Sequence, residues 1–303
     1  MNRIAVFGET LVDHFETGPV VGGAPFNVAR HLAAFGHAPL MVSAVGTDVE
    51  AQPVMAEFAR YGLGPEGVQH LPSHPTGAVD VETLADGGHA FRIRTGSAWD
   101  HIELAPARIA LAGMPAGGWL YCGTLALRAP VSRATGLALM HGHGGPIYLD
   151  LNWRDGHVDP VVALGAVQLA QVLKVNEEEL QMLCGWLGGT AAATRTAELA
   201  AAFLLERVTL GMLLVTCGPA GALAFDGTGR CLARGRNARP VQLVDSVGAG
   251  DSFSAVMLAG FLRDWPLSLA LERANTFAGH ICEVRGAVPA HLASYAAWTA
   301  GWT

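Results

Sequence analysis

The chain has 303 residues, 51% of them hydrophobic, which suffices for one large core and excludes a disordered chain. Acidic residues (26) outnumber basic ones (19) for a formal charge of -7, and Lys174 is the only lysine, so no basic face for nucleic acid or an anionic membrane is evident. A phosphate, were one bound, would then fall to backbone amides, arginine and metal. The five cysteines, Cys122, Cys184, Cys217, Cys231 and Cys282, are odd in number and lack Cys-x-x-Cys spacing, which argues against structural zinc and for buried free thiols in a reducing cytoplasm. No apolar run is both long and uninterrupted enough to span a membrane, and the first residues lead straight into a strand pattern, so a cytoplasmic protein is expected.

In chain order, residues 3–7 read as a short apolar strand that ends in Gly8-Glu9-Thr10-Leu11-Val12-Asp13. An acid just past a strand end lies where open α/β sheets bind ligands, so Asp13 is either a bidentate acceptor for ligand hydroxyls or a solvated loop residue. Gly22-Gly23-Ala24-Pro25-Phe26-Asn27-Val28-Ala29-Arg30 follows. The glycine pair permits close backbone approach, Pro25 begins a helix, and Val28, Leu32 and Phe35 form its apolar stripe before Gly36. Asn27 then sits in the first helical turn, where its amide can donate to and accept from a polyol or simply be a polar residue at a helix start.

Residues 39–45 are a further strand, followed by a helical pattern through Val54, Met55, Phe58 and Tyr61. From Thr76 the pattern changes. Residues 77–84 and 89–94 alternate around Asp86-Gly87-Gly88, the mark of a β-hairpin with one covered and one wet face, and so a small β element apart from the main sheet. Beyond it, strands at 119–122, 147–151, 172–175 and 212–217 alternate with helices at 131–140, 161–169, 177–183 and 198–207. That alternation predicts a mostly parallel sheet with helices on both faces, in one domain without linkers or repeats.

Polar clusters fall at the ends of these strands. Asp150-Leu151-Asn152-Trp153-Arg154 is expected to project a carboxylate, an amide and a guanidinium into the crevice. Asn176-Glu177-Glu178-Glu179 follows the 172–175 strand and reads by itself as an acidic first turn that complements a helix dipole. Val215-Thr216-Cys217-Gly218-Pro219-Ala220-Gly221 is a strand running into a glycine turn, either a plain connection or a place for a nucleotide against the backbone. His141 and His143, between glycines, read as loop residues in solvent.

The most informative stretch is Leu243-Val244-Asp245-Ser246-Val247-Gly248-Ala249-Gly250-Asp251-Ser252-Phe253. Residues 240–244 read as a strand, Gly248 and Gly250 as a tight turn, and 252–261 as a helix. The free N–H groups of Gly248, Ala249, Gly250 and Asp251 would converge on an anion at the positive end of the helix dipole. A carboxylate suits proton abstraction there and not phosphate binding, so Asp251 points to phosphoryl transfer to a hydroxyl, against the plainer reading of a capped helix start.

Asp-Ser-Val-Gly-Ala-Gly-Asp-Ser-Phe at 245–253 resembles the C-terminal signature of the ribokinase-like (PfkB) sugar kinases, with Ser246 where Thr is usual. Gly-Gly-Ala-Pro-x-Asn-Val-Ala at 22–29 resembles the N-terminal signature of the same family in its fructokinase form, with Phe26 where a small residue is commoner, and Ala98-Trp99-Asp100-His101-Ile102 also looks fructokinase-like. The resemblance covers nearly the whole chain. It implies a ribokinase-like α/β fold with a β lid at about 77–94 that often also forms a dimer interface. It implies Asp251 as catalytic base with Gly248, Ala249 and Gly250 as anion hole, and Asp13, Gly23 and Asn27 as sugar contacts. Asn176, Thr216, Gly218, Gly221 and Asn275 would border ATP, Asn275 with the neighbouring Arg285-Gly286-Ala287 beside the base. Mg2+ would be served by Glu179 through water, and a monovalent cation such as K+ is a further expectation. A sugar and ATP are the implied partners, in a homodimer.

No Gly-x-x-x-x-Gly-Lys-Ser/Thr loop is present, no dinucleotide Gly-x-Gly-x-x-Gly follows a strand, and no His-Glu-x-x-His occurs. Within the family, ribokinase, 2-keto-3-deoxygluconate kinase and nucleoside kinase activities are the alternatives to fructokinase. A non-catalytic sugar- or nucleotide-binding protein is the alternative of another class, disfavoured by Asp251, Gly248, Gly250, Asn176 and Glu179 occurring together.

Overall fold

The computed structural model describes residues 4–83, 89–236 and 242–302. Strand β1 (Ile4–Phe7) is followed by β2 (Leu11–Phe15), β3 (Gly18–Gly22), helix α1 (Ala24–Ala34), β4 (Leu40–Val45), α2 (Ala51–Arg60) and β5 (Val68–His70). Next come β6 (Gly77–Thr83), β7 (His89–Ile93), α3 (Leu104–Leu111), β8 (Trp119–Gly123), α4 (Pro130–Gly142), β9 (Ile147–Asp150) and α5 (Pro160–Val167). The chain continues through β10 (Val172–Asn176), α6 (Glu177–Trp186), α7 (Ala197–Leu205), β11 (Met212–Thr216), β12 (Ala222–Asp226) and β13 (Cys231–Gly235). It ends with α8 (Ala249–Leu262), α9 (Leu267–Ile281) and the short α10 (Ala296–Thr299).

Nine strands make the main sheet in the order β13-β12-β11-β10-β9-β8-β1-β4-β5. All its pairings are parallel except β11 with β12 and β12 with β13. Parallel strands must be covered on both faces, and they are. Ala5, Phe7, Val42, Leu149, Leu173 and Leu213 meet the helices α3 to α7 on one face, and Ile4, Val6, Met41, Tyr121, Tyr148 and Leu214 meet α1, α2, α8 and α9 on the other. From β1 the chain goes first to β4 and β5, then returns to β8 and winds the other way. The crevice outside the carboxyl ends of β1 and β8 is therefore the switch point where such sheets bind ligands. All five cysteines are unpaired, but only Cys122 and Cys184 are fully buried. Among the described residues no helix is long and apolar enough to cross a membrane.

A second sheet has four strands in the order β3-β2-β6-β7. The expected hairpin is present as β6 and β7, with its 84–88 turn outside the described residues. The expectation was too small. β2 and β3 complete the sheet, so Asp13 lies within a strand and not in a loop past one. Leu11, Val79 and Val81 are the buried side of this sheet, with Phe15 and Ile93 against them. The Ala98–His101 turn mounts it on the body: Ser97 and Asp100 cap one another, Arg128 grips both Asp100 oxygens at 2.7 and 2.8 Å, and its guanidinium lies 4.0 Å over the Trp99 ring.

Three further expectations need correction. Residues 242–244 form no strand, since the Val244 and Asp245 N–H groups bond the Cys282 carbonyl and not a sheet neighbour. Positions 240 and 241 lie outside the described residues. His141 belongs to α4, and His143, at its end, pairs with the Gly118 carbonyl at 2.7 Å.

Candidate active site

Helix α8 begins at Gly248, whose φ of 80° is the left-handed conformation that glycine adopts without strain. A Cβ there would also collide with Ala287. The first bond of the helix runs from the Ser252 N–H to the Gly248 carbonyl, so the N–H groups of Gly250 and Asp251 precede it and have no helical acceptor. The Ala249 N–H makes only a long 3.3 Å bond to the Ser246 carbonyl. Asp245 fixes the approach to the turn by accepting from the N–H groups of Val247 and Gly286 at 2.9 and 3.1 Å. The geometry is an N-terminal anion cup.

Asp251 is buried in the first turn of α8, against which α1 packs. Asn27 Nδ2 donates to Asp251 Oδ2 at 2.7 Å, so the two signature motifs, 224 residues apart, meet in one hydrogen bond. The Asn27 amide cannot turn around freely, because Arg30 Nη2 donates to its Oδ1 at 2.5 Å and to the Val21 carbonyl at 2.9 Å. Arg30 Nη1 pairs in turn with Glu57 at 3.0 Å. Burial pushes the Asp251 carboxyl up to about 6; the Asn27 bond, Lys174 and Arg154 pull it down, and Asp150 pushes it up. Phe26 is fully buried and stacks on Phe58, the ring centroids 4.7 Å apart.

The glycine pair has a specific use at each position. A Cβ on Gly22 would run into the Asp13 carboxylate, and one on Gly23, where φ is 104°, would stand 2.6 Å from the Glu9 carbonyl. Asp13 thus lies against the entrance to α1, although it comes from the second sheet. Burial raises its carboxyl to about 6, with Arg30 and Arg154 opposing. Glu9, just past β1 at the switch point, carries no motif of its own that marks it in the sequence. It is buried, its Oε2 has no hydrogen-bond partner among the described residues, and burial raises its carboxyl to about 7, with a hydrogen bond to its own backbone, Arg154 and Arg128 lowering it and Asp251 raising it.

On the other side of the turn, β10 runs into α6 through a reciprocal cap. Asn176 Oδ1 accepts the Glu179 N–H at 2.7 Å and Glu179 Oε2 accepts the Asn176 N–H at 2.8 Å. Glu179 Oε1 accepts the Trp153 N–H at 2.8 Å, which ties the 150–154 stretch to the same corner. Both oxygens of Glu179 therefore already serve backbone donors. Among the described residues no group of three or more His, Cys, Asp or Glu is arranged to hold a metal ion. This donor set fits a cation carried mainly by phosphate oxygens and waters with one carboxylate in its outer surroundings, and does not fit a protein cage.

Thr216 is in register with Asn176 across β10 and β11, and its hydroxyl donates to the Val175 carbonyl at 3.3 Å. Gly218 and Gly221 have φ of 49° and 100°, and a Cβ on Gly221 would strike the Gly235 carbonyl. Asn275 is not presented to an open surface: its Nδ2 donates to the Leu271 carbonyl at 2.8 Å within α9, and its side chain fills the space left by the missing Cβ of Gly235. Asp150 is likewise buried, where an open carboxylate was expected, and Lys174 Nζ donates to it at 3.1 Å. The signal for Lys174 was a lone lysine inside an apolar strand.

These features agree with what the chain is similar to. Residues 2–292 match the profile of the pfkB family carbohydrate kinases. A fructokinase of Salmonella typhimurium is 32% identical over 280 residues, covering 85% of this chain and 83% of that protein. The structure of a double-mutant fructokinase from Vibrio cholerae O395 in fructose, ADP and potassium ion bound form superposes with a TM-score of 0.78 at 22% identity, covering 99% of this chain and 98% of that one. A sugar kinase from Pyrococcus horikoshii in complex with ATP gives 0.77 at 24% identity over 94% and 93% of the two chains. With both signatures meeting at one carboxylate and the match running from end to end, this chain belongs to the pfkB family of carbohydrate kinases.

Proposed function

We propose that this chain is an ATP-dependent sugar kinase with fructose as its acceptor. The observation that carries the reading is the Asp251 carboxylate, held by Asn27 at 2.7 Å beside the N–H groups at the start of α8. A hydroxyl brought there loses its proton to Asp251 as its oxygen attacks the γ-phosphorus, the bond to the β–γ bridging oxygen breaks, and ADP leaves with that electron pair. The N–H groups of 248–251 and the helix dipole stabilise the phosphoryl oxygens. With a pKa of about 6, Asp251 is mostly ionised at neutral pH and so able to take the proton.

Asp13, Gly23 and Asn27 hold the sugar, in this reading, and Asn176, Thr216, Gly218 and Gly221 border the nucleotide. Asn275 acts from behind by bracing Gly235. Leu243 and Val244, 67% and 52% exposed beside the turn, offer an apolar surface to a purine ring. Magnesium bound with the nucleotide supplies charge to offset the phosphates, with Glu179 facing its waters. The Asp245 carboxylate next to the turn adds charge for a monovalent cation such as K+, the ion named with the Vibrio structure. Fructose is preferred because the Salmonella relative is a fructokinase and that Vibrio structure holds fructose. The four-stranded sheet is the lid, larger than the 77–94 hairpin alone, and its exposed Val20 and Phe91 support its use as the contact of a homodimer. A kinase using ATP and keeping five unpaired cysteines belongs in the cytoplasm.

The test is ADP release from ATP and Mg2+ over fructose, ribose, 2-keto-3-deoxygluconate and adenosine. Fructose is expected to give the highest kcat/KM. Preference for another acceptor would replace the sugar and keep the chemistry, and release with none of them, over a broader sugar set, would favour a non-catalytic binding protein.

A further inference from the structure

A lysine inside a sheet needs a reason, because removing an ammonium from water costs several kcal/mol unless good partners replace the hydration. Lys174 lies between the buried Leu173 and Val175 of β10 and is 6% exposed. Its Nζ donates to Asp150 Oδ1 at 3.1 Å. The other oxygen, Asp150 Oδ2, accepts from Ser254 Oγ of α8 at 2.8 Å, and Tyr148 OH donates to Ser254 at 3.1 Å. Asp150 is thereby fixed from two sides and holds the ammonium in place. What it holds it against is the turn: a Cβ on Gly250 would stand 3.0 Å from Nζ, so the ammonium packs directly on the backbone at that position. Burial favours the neutral amine, but Asp150, Glu179 and Asp251 outweigh it and raise the pKa above the ordinary lysine value, so the group stays charged. An ammonium has three donors, and Asp150 takes one.

We propose that Lys174 is a catalytic residue that donates to an oxygen of the phosphoryl group during transfer, alongside the N–H groups of the 248–251 turn. The assignment rests on the phosphoryl-transfer reading above. The sugar oxygen to phosphorus bond forms, the bond to the bridging oxygen breaks, ADP takes the electron pair and Asp251 the proton, while the ammonium keeps all its protons and makes no covalent bond. It also revises the expectation that amides, arginine and metal alone would meet the phosphates in a chain with a single lysine.

Lys174→Met by itself strands the Asp150 charge in the core and is expected to lose stability, so the informative protein is Lys174→Met/Asp150→Asn, in which both charges go. Loss of one preorganised donor predicts kcat lower by about 10²–10³-fold with fructose KM within a few-fold. Titration with a non-hydrolysable ATP analogue should show at least about a tenfold loss of affinity, with ADP affected less. A folded double variant with wild-type kcat and analogue affinity would overturn the assignment. If the wild type phosphorylates no sugar, transfer fails as a reading but the titration still decides: selective loss of the analogue keeps Lys174 at the terminal phosphate, and unchanged affinity removes it. Should the double variant not fold, Lys174→Arg keeps a charge opposite Asp150 but displaces the donors. A folded Arg variant with kcat lowered about tenfold or more and fructose KM unchanged supports the proposal, and an undiminished kcat overturns it.

Discussion

Replacing Asp251 by Asn should make the protein more stable and nearly inactive at once. The carboxyl sits at about 6 in the fold against 3.8 in an unfolded chain, because burial disfavours its charge. Raised above its unfolded value, it takes up protons more readily folded than unfolded. Stability is therefore free of this penalty below pH 3.8, falls as pH rises towards 6, and stays lowered above it. The difference corresponds to about 3 kcal/mol at neutral pH. Asn removes the charge but keeps an oxygen for Asn27 Nδ2, so most of that energy is recovered and the melting temperature at pH 7.5 should rise by about 5 °C. The gain should shrink as the melt is repeated towards pH 4. Turnover should fall by about 10²–10⁴-fold, the range of a lost general base. In the wild type the acid limb of kcat/KM should lie near pH 6, and steeper than one proton, because Asp13 titrates near 6 and Glu9 near 7 in the same crevice. Differential scanning calorimetry and a coupled ADP assay across pH 4–8 measure both effects. A variant that is less stable at pH 7.5, or that turns over at a normal rate, would refute the reasoning.

Three other outcomes are expected. Glu179→Gln should raise the magnesium concentration needed for half-maximal rate and also lower stability by about 1–3 kcal/mol, since an amide has one acceptor for the two backbone N–H groups of Asn176 and Trp153; an unchanged magnesium titration would show that Glu179 serves only the cap. Gly248→Ala should weaken ATP more than fructose, because it strains a φ of 80° and strikes Ala287 beside the turn; KM values unchanged from wild type, or raised by the same factor for both substrates, would speak against a phosphate role. Saturating fructose should slow hydrogen exchange at Val79, Val81, Phe91 and Ile93 more than ATP does, as a closing second sheet requires; identical exchange with and without sugar would remove the lid.

The sequence was most legible where one conformation favours one residue type. Gly248 and Gly250 before a helical run announced the turn, and the alternation from residue 119 onward announced the parallel sheet. Legibility failed where neighbours from far along the chain decide the outcome. Residues 11–15 look like loop because only Leu11 and Val12 are buried, and they form a strand between the adjacent β3 and the parallel partner β6, over sixty residues away. Gly18–Gly22, rich in glycine with a proline, is an edge strand supported on one side only. Conversely 242–244 looked like strand because it is apolar, yet the sheet ends at β13 and Leu243 and Val244 remain exposed. In the site, Asp251 and Asn27 were found from their motifs. Their mutual bond was not, nor was Arg30 as the group that orients Asn27, since only the packing of α1 on α8 brings them together.

Phosphorus NMR of the protein with ATP, Mg2+ and fructose reads the proposed phosphoryl transfer from ATP to a sugar directly. The account predicts that ADP and a fructose monophosphate appear in equal amounts, with no free phosphate and with both signals lost in Asp251→Asn. Inorganic phosphate appearing with ADP, or an ATP signal unchanged by fructose and by every other acceptor sugar, would contradict it.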